Sequence, residues 1–229
     1  MARVWVTRAR PGAEATAERL AALGHTPVVA PLLTVGARAF DPHIAGVAAL
    51  AFTSRHGVEA FARQQPERGL PVYAVGAATA QAARQAGYGV VEHADGDVEA
   101  LAALILRDRP AGLVLHPGAA QPAGDLTGAL GAAGIAARSV VVYETLTIDP
   151  DPAFLATLDD LDTVLLHSAR ASRALAALLA SRPAPGLRAL CLSPAVAEPL
   201  AAAAAAGRLA SVASAPRPRE SALFELLRA

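Results

Sequence analysis

The feature that most constrains this chain is an internal repeat, which appears when the sequence is aligned with itself. At one constant offset, Leu20 and Gly24 fall on Leu130 and Gly134. Each copy reads as a strand, a turn rich in glycine or proline, a helix ended by glycine, and a second strand. The same unit of structure is therefore expected twice.

A second match extends the repeat through the rest of the chain. At a slightly larger offset, Thr53-Ser54 falls on His167-Ser168. The segment Val140–Thr145 contains three valines followed by Tyr143, which is typical of a strand. This segment lies where the first half of the chain ends and the second begins. Tyr143 is therefore expected at the passage between two similar halves.

Short apolar runs alternate with helical patterns along the chain, which predicts an α/β fold with parallel sheets covered on both faces. The repetition favours two Rossmann-like or flavodoxin-like sheets of five strands each. The predicted strands are Val4–Val6, His25–Val35, Leu50–Phe52, Val72–Val75, Val90–Val91, Gly112–Leu115, Val140–Thr145, Thr163–Leu166, Leu190–Leu192 and Val212. Helices are predicted between them, including Val196–Ala206 and a last one over Ser221–Arg228.

The repeat also predicts a discontinuous domain. The first strand and helix match the unit just before Tyr143 and do not make a complete domain alone. Domain one is therefore predicted to consist of residues 1–37 and 147–229, and domain two of residues 38–146. The chain would cross between them twice, and the two connecting strands would form a hinge.

Composition excludes several kinds of chemistry. The sequence contains no lysine, so its 20 basic residues are all arginine, and both a Schiff-base lysine and a phosphate-loop lysine are absent. A formal net charge of zero argues against nucleic acid as a partner. The single cysteine, Cys191, lies in an apolar run, and the 6 histidines show no paired metal spacing. We expect no metal and no cofactor.

The sequence shows no targeting segment and no apolar run long enough to span a membrane. We expect a cytoplasmic protein that does not associate with membranes.

Small, hydroxylic and arginine residues follow the predicted strands, at the edge where parallel sheets bind ligands. Backbone amides, hydroxyls and guanidinium groups there would suit an anionic ligand that carries several carboxylates or phosphates. The alternative for each serine or threonine is a helix cap. His56, His116 and His167 also end strands and are candidates for an acid or a base. The candidate binding residues are Thr7, Arg8, Arg10, Thr53, Ser54, Arg55, Gly76, Thr79, Gly118, Ser168, Arg170 and Ser193.

Five motifs, taken in order along the chain, resemble those of the uroporphyrinogen-III synthase family. They are Val6-Thr7-Arg8, Phe52-Thr53-Ser54, Tyr73-Ala74-Val75-Gly76 with Thr79-Ala80, Val142-Tyr143-Glu144-Thr145, and Leu166-His167-Ser168. The resemblance implies two Rossmann-like domains joined by a two-stranded ladder, with the active site in the cleft between them. It also implies a lyase of tetrapyrrole biosynthesis, which needs neither metal nor nucleotide. We expect the protein to be a monomer.

The reaction implied is the cyclisation of hydroxymethylbilane, an open tetrapyrrole with eight carboxylates, with loss of water and inversion of the last ring through a spirocyclic intermediate. By resemblance, Tyr143 would assist departure of the hydroxyl, and Thr79 would bind substrate. Ser54 and Ser168 would match positions facing the cleft. An amphipathic hinge residue is the alternative for Tyr143.

Two loops depart from the family pattern. The chain has Val196 where the family commonly has threonine, and the loop His116–Gln121 lacks a frequent arginine. A non-catalytic relative that binds a tetrapyrrole or an acidic metabolite is therefore the alternative function.

Overall fold

The computed structural model describes residues 1–227 and divides the chain into two compact units. Unit 2 is the continuous stretch Val35–Thr145, and unit 1 combines Met1–Thr34 with the chain from Leu146 onward. Each unit contains a β-sheet with parallel strand pairs and a buried apolar cluster on each face, so the α/β class predicted from the sequence is confirmed.

The strands of residues 1–227 are β1 (Arg3–Val6), β2 (Thr26–Val29), β3 (Leu33–Ala37), β4 (Val47–Phe52), β5 (Val72–Ala74), β6 (Val91–His93), β7 (Leu113–Ala119), β8 (Ala137–Thr147), β9 (Thr163–Leu166), β10 (Ala184–Cys191) and β11 (Leu209–Ser214). The α-helices are α1 (Gly12–Ala22), α2 (Arg55–Gln64), α3 (Ala77–Gln85), α4 (Val98–Asp108), α5 (Leu126–Ala132), α6 (Pro152–Leu155), α7 (Ala169–Ser181), α8 (Pro194–Ala197), α9 (Ala201–Ala205) and α10 (Glu220–Glu225).

The sheet of unit 1 has the strand order β11-β10-β9-β1-β2, and its paired strands are parallel. Successive residues of β1 face opposite sides, as the two-residue period of a strand requires. Trp5 packs into one buried cluster, whereas Val4 and Val6 pack into another. Both faces of this sheet are therefore covered, which explains why its central strands are apolar throughout.

The sheet of unit 2 has the order β3-β8-β7-β4-β5-β6. In its central strand β4, Leu50 and Phe52 enter one core cluster, and Ala49 and Ala51 enter the other. β3 and β8 are neighbours at one edge of this sheet, and the chain passes between the two units within these two strands.

The expectation of two five-stranded sheets is wrong, because the second sheet has six strands. The predicted strand His25–Val35 divides around Pro31 into β2 and β3, which belong to different sheets. Proline has no N–H for a ladder hydrogen bond, so the run breaks there. The second part supplies the sixth strand.

The predicted helix Val196–Ala206 is also divided. Its first turn is α8, a 3₁₀ turn covers Glu198–Leu200, and α9 follows. Pro199 accounts for the break, since its ring and missing N–H disfavour a helix interior. The predicted end of the last helix, Arg228, lies outside the described residues. No helix within residues 1–227 is long and apolar enough to cross a membrane.

Candidate active site

The same local feature occurs in both units: a serine is the N-cap of the helix that follows a central strand. Ser54 Oγ accepts a hydrogen bond from the His56 N–H at 3.2 Å, and Ser168 Oγ accepts one from the Ala171 N–H at 3.3 Å. Both serines have extended backbones, as helix caps do. Each side chain thus serves the start of its own helix, which was the alternative role for the hydroxylic residues.

Unit 2 contains a cavity outside the C-terminal ends of β4, β5 and β7, which we name the Tyr143 cavity. Its volume is about 420 Å³. This is the edge at which open parallel sheets bind ligands. Its polar lining residues are Thr53, Asp97, Glu99, Gln121, Tyr143 and Thr145.

Tyr143 is held at this cavity by β8 and by packing of its ring. It is 9% exposed, and its ring centroid lies 5.9 Å from that of His56, with the planes tilted by 55°. Burial lowers the pKa of His56, with a smaller lowering by Arg55 and an opposing effect of Glu59. The histidine beside the phenol is therefore uncharged near neutral pH.

His116, near the middle of β7, contacts two hydroxyl groups across neighbouring strands. Its Nε2 lies 3.1 Å from Thr53 Oγ1, and its Nδ1 lies 3.2 Å from Ser139 Oγ. The histidine is buried, and this burial lowers its pKa. Thr53 in turn lines the Tyr143 cavity. A neutral imidazole with both nitrogens engaged therefore stands behind one wall of the cavity.

Two carboxylates of the cavity were not among the predicted site residues. Asp97 caps α4 by accepting a hydrogen bond from the Ala100 N–H at 3.0 Å, and this bond is the main cause of its lowered pKa. Glu99 lies in the first turn of the same helix. The sequence held a signal for Asp97, since an aspartate just before an apolar helical pattern is typical of an N-cap.

In unit 1, a cluster of polar side chains surrounds Glu220 at the start of α10. Its carboxylate lies 2.9 Å from His167 Nε2, accepts the Thr16 hydroxyl at 2.6 Å, and pairs with Arg19 at 2.5 Å and Arg8 at 3.3 Å. Burial alone would raise the pKa of Glu220. The hydrogen bonds of His167 and Thr16 and the charges of His167 and Arg19 outweigh burial and lower it to about 2.

Comparison with known proteins identifies the family. The family model described as uroporphyrinogen-III synthase HemD matches residues 14–225, which is nearly the whole chain. The chain belongs to the uroporphyrinogen-III synthase family. This is a family of cyclising lyases of tetrapyrrole biosynthesis, as the sequence motifs indicated. No curated protein matches the sequence.

Solved structures agree with this fold. The uroporphyrinogen-III synthetase of Helicobacter pylori 26695 has a TM-score of 0.65 at 17% identity, over 99% of this chain and 98% of that one. A mutant uroporphyrinogen III synthase of Thermus thermophilus has a TM-score of 0.52 at 22% identity, over 100% of this chain and 98% of that one. At these identities the likeness shows a shared two-domain synthase fold.

The other predicted residues of unit 2 lie near the cavity in sequence but are not among its described lining residues. Arg55 and Ser54 begin α2, and Gly76 begins α3. Thr79 is buried within α3. Gly118 lies in β7 close to His116, whose ring would be 3.0 Å from a Cβ at this glycine. Of the predicted set in this unit, the structure brings Thr53 and Tyr143 together.

The predicted binding residues of unit 1 lie in different environments of this synthase-family fold. The fully buried Thr7 donates its hydroxyl hydrogen bond to the Leu165 carbonyl at 2.7 Å. Arg10, just before α1, pairs with Glu14 in the first turn of that helix. Arg170 lies in the first turn of α7, and Ser193 begins α8 without a side-chain cap bond.

The described residues contain one cysteine, Cys191, which is free and buried. Burial raises the pKa of the Cys191 thiol to about 12, so the thiol stays protonated. No group of three or more His, Cys, Asp or Glu side chains between residues 1 and 227 is arranged to hold a metal ion.

Proposed function

We propose that this protein is a uroporphyrinogen-III synthase, which closes hydroxymethylbilane to uroporphyrinogen III with inversion of the last pyrrole ring. The match of the family model over residues 14–225 carries this proposal. The substrate class that follows is a tetrapyrrole with many carboxylates.

The proposed reaction releases one water and needs no other reactant. The terminal hydroxyl takes up a proton and leaves as water, which gives an azafulvenium cation. The substituted carbon of the last ring attacks this cation and forms a spirocyclic intermediate. In that intermediate, the bond that originally joined the last ring to the bridging carbon breaks. The bridging carbon then bonds to the free position of the inverted ring, and this ring loses a proton. The task of the protein is largely to hold the chain in the folded form that favours attack by the crowded carbon.

Tyr143 is the residue that we propose to assist departure of the hydroxyl. Tyr143 lines the cavity, and a phenol there can donate a hydrogen bond to the leaving oxygen. Packing against His56 restricts the ring, so the hydroxyl would be positioned before substrate binds. Asp97 and Glu99 border the same cavity, where negative charge would favour the azafulvenium cation.

The substrate carboxylates require positive charge and hydrogen-bond donors. We propose that the predicted binding residues supply them through guanidinium groups, hydroxyls and backbone N–H groups. Arginines bind carboxylates through paired N–H groups, and helix N-termini add backbone N–H donors. The proposed binding residues are Thr7, Arg8, Arg10, Thr53, Ser54, Arg55, Gly76, Thr79, Gly118, Ser168, Arg170 and Ser193.

We further propose that residues 1–37 and 147–229 form one domain and residues 38–146 the other, and that the protein acts as a cytoplasmic monomer without nucleic acid. Light scattering coupled to size-exclusion chromatography would measure the monomer mass. Cell fractionation would locate the protein.

A coupled assay tests the function. Hydroxymethylbilane is generated in place, the protein is added, the products are oxidised, and the type I and type III isomers are separated. An excess of type III over the blank is the expected result. Type I alone, which forms by spontaneous closure, would contradict synthase activity. Tight binding of a tetrapyrrole in that case would favour the non-catalytic relative.

A further inference from the structure

His116 stands in an unusual position for a buried histidine, because it touches the cavity only through another residue. It is 4% exposed, its Nε2 is 3.1 Å from Thr53 Oγ1, and its Nδ1 is 3.2 Å from Ser139 Oγ. Thr53 is the member of this trio that lines the Tyr143 cavity. The three residues come from adjacent strand regions, since β4 and β8 flank β7 in the sheet.

A neutral imidazole has one N–H donor and one nitrogen acceptor, so it gives opposite roles to its two partners. If Nε2 carries the hydrogen, Thr53 Oγ1 accepts it and the threonine O–H is free to donate. If Nε2 is bare, the threonine O–H donates to it and the oxygen lone pairs remain available. In the second case the O–H points at the imidazole, so its direction is fixed. In the first case the imidazole N–H occupies one lone pair, so the O–H must point away from the ring and has fewer directions open to it.

We infer that His116 is a positioning residue of the synthase site, which acts by restricting the direction of the Thr53 hydroxyl at the wall of the Tyr143 cavity. A fixed dipole assists a reaction more than a rotating one, because no reorganisation is needed when charge develops. This inference rests on the proposed synthase function. It adds a role for a histidine that does not itself line the cavity.

Two substitutions of similar size separate the two contacts of the ring. In His116→Gln, the end of the side chain takes the place of Nε2, so a hydrogen bond to Thr53 can be kept while that to Ser139 is lost. In His116→Asn, the shorter amide takes the place of Nδ1, so the bond to Ser139 can be kept while that to Thr53 is lost. Both replacements are polar and place an amide in the same buried position.

We expect His116→Asn to lower kcat roughly fivefold to tenfold with little change in KM, as Thr53→Val should. His116→Gln should stay within about twofold of the original kcat, since it preserves the contact that matters. In the Thr53→Val background, His116→Asn should cause no further loss, because the residue through which it acts is gone. His25→Gln, in unit 1, is the control and should leave kcat unchanged.

The outcomes separate the inference from the proposed function. Equal losses in His116→Asn and His116→Gln, or a loss from His116→Asn that persists in the Thr53→Val background, would mean that the histidine supports the fold and would overturn the positioning role. Melting temperatures measured on the same variants show whether any loss follows unfolding. If the unsubstituted protein yields no type III isomer, the synthase function itself fails, and the inference fails with it.

Discussion

At the scale of single residues, the Tyr143 hydroxyl is the group with the most direct chemical consequence. The ring packs beside His56, and Tyr143 lines the cavity where we propose that its hydroxyl acts. Tyr143→Phe should therefore preserve folding and lower formation of the type III isomer about 10- to 100-fold, since one hydrogen-bond donor to the leaving group is lost.

The coupled isomer assay measures this effect. Tyr88→Phe makes the same change in the core of unit 2 and should retain activity. Full activity of Tyr143→Phe would exclude the phenol as the donor and would favour the packing role for the tyrosine.

Glu220 predicts a pH dependence of stability. Its pKa in the folded protein is about 2, below its ordinary value of 4.5. Its ion pairs therefore stabilise the fold above pH 4.5, and this contribution is lost as the pH falls toward 2. After allowance for screening of a partly exposed cluster, we expect it to be about 1 kcal/mol.

Urea unfolding at a series of pH values tests this contribution. Glu220→Gln should be less stable than the original protein at neutral pH, and the difference should shrink as the solution becomes acidic. Glu18→Gln, which changes an exposed carboxylate on α1, is the control. A difference that does not vary with pH would show that the ionised carboxylate is not what stabilises the cluster.

At the scale of elements, the serine caps predict matched effects in the two units. Ser54→Ala and Ser168→Ala should each lower the free energy of unfolding by about 1 kcal/mol, because one N–H of the first helical turn loses its acceptor. Ser193→Ala should have a much smaller effect, since Ser193 makes no side-chain cap bond. Thermal unfolding followed by circular dichroism checks all three. A similar loss in Ser193→Ala would assign the effect to something other than capping.

The local sequence pattern predicted the type of each element well. It predicted less well where an element ends or is interrupted. Val4–Val6 and Thr163–Leu166 were predicted nearly as they occur. The strand β8 extends to eleven residues, well beyond its valine run, because pairing with neighbours continues where the apolar pattern stops. Residues such as Arg138 and Ser139 carry no strand signal of their own.

At the scale of the whole molecule, the core clusters predict that the continuous half can fold alone. Both clusters of unit 2 draw on residues 35–143. A fragment of residues 33–147 also contains all six strands of that sheet. We expect it to unfold cooperatively, at a lower temperature than the full chain, because a complete sheet with both faces covered forms its own core.

Circular dichroism during heating tests the fragment. A fragment of residues 1–34 is the contrast and should be unfolded, since it holds only two of the five strands of its sheet and the first residues of β3. An unfolded 33–147 fragment would show that the stability of unit 2 depends on the rest of the chain.

The sequence predicted where the candidate site lies, but it predicted only some of the residues that form it. Thr53 was expected at the end of a strand and Tyr143 at the passage between the two halves, and both line one cavity. Asp97 and Glu99 were missed, because a carboxylate in the first turn of a helix reads as a cap or a solvated residue until a cavity is seen beside it. The Glu220 cluster was missed because it joins distant residues, with Thr16 and Glu220 separated by 204 positions.

The alternation of strands and helices and the internal repeat could be predicted from the chain alone, because they depend on apolar periods and turn residues that span a few positions. Three features became visible only in the folded chain: the run broken by Pro31 contributes to two sheets, His116 contacts Thr53, and Glu220 contacts His167. The physical reason is that side chains meet according to the order of strands in a sheet, and that order is set by the packing of the whole core.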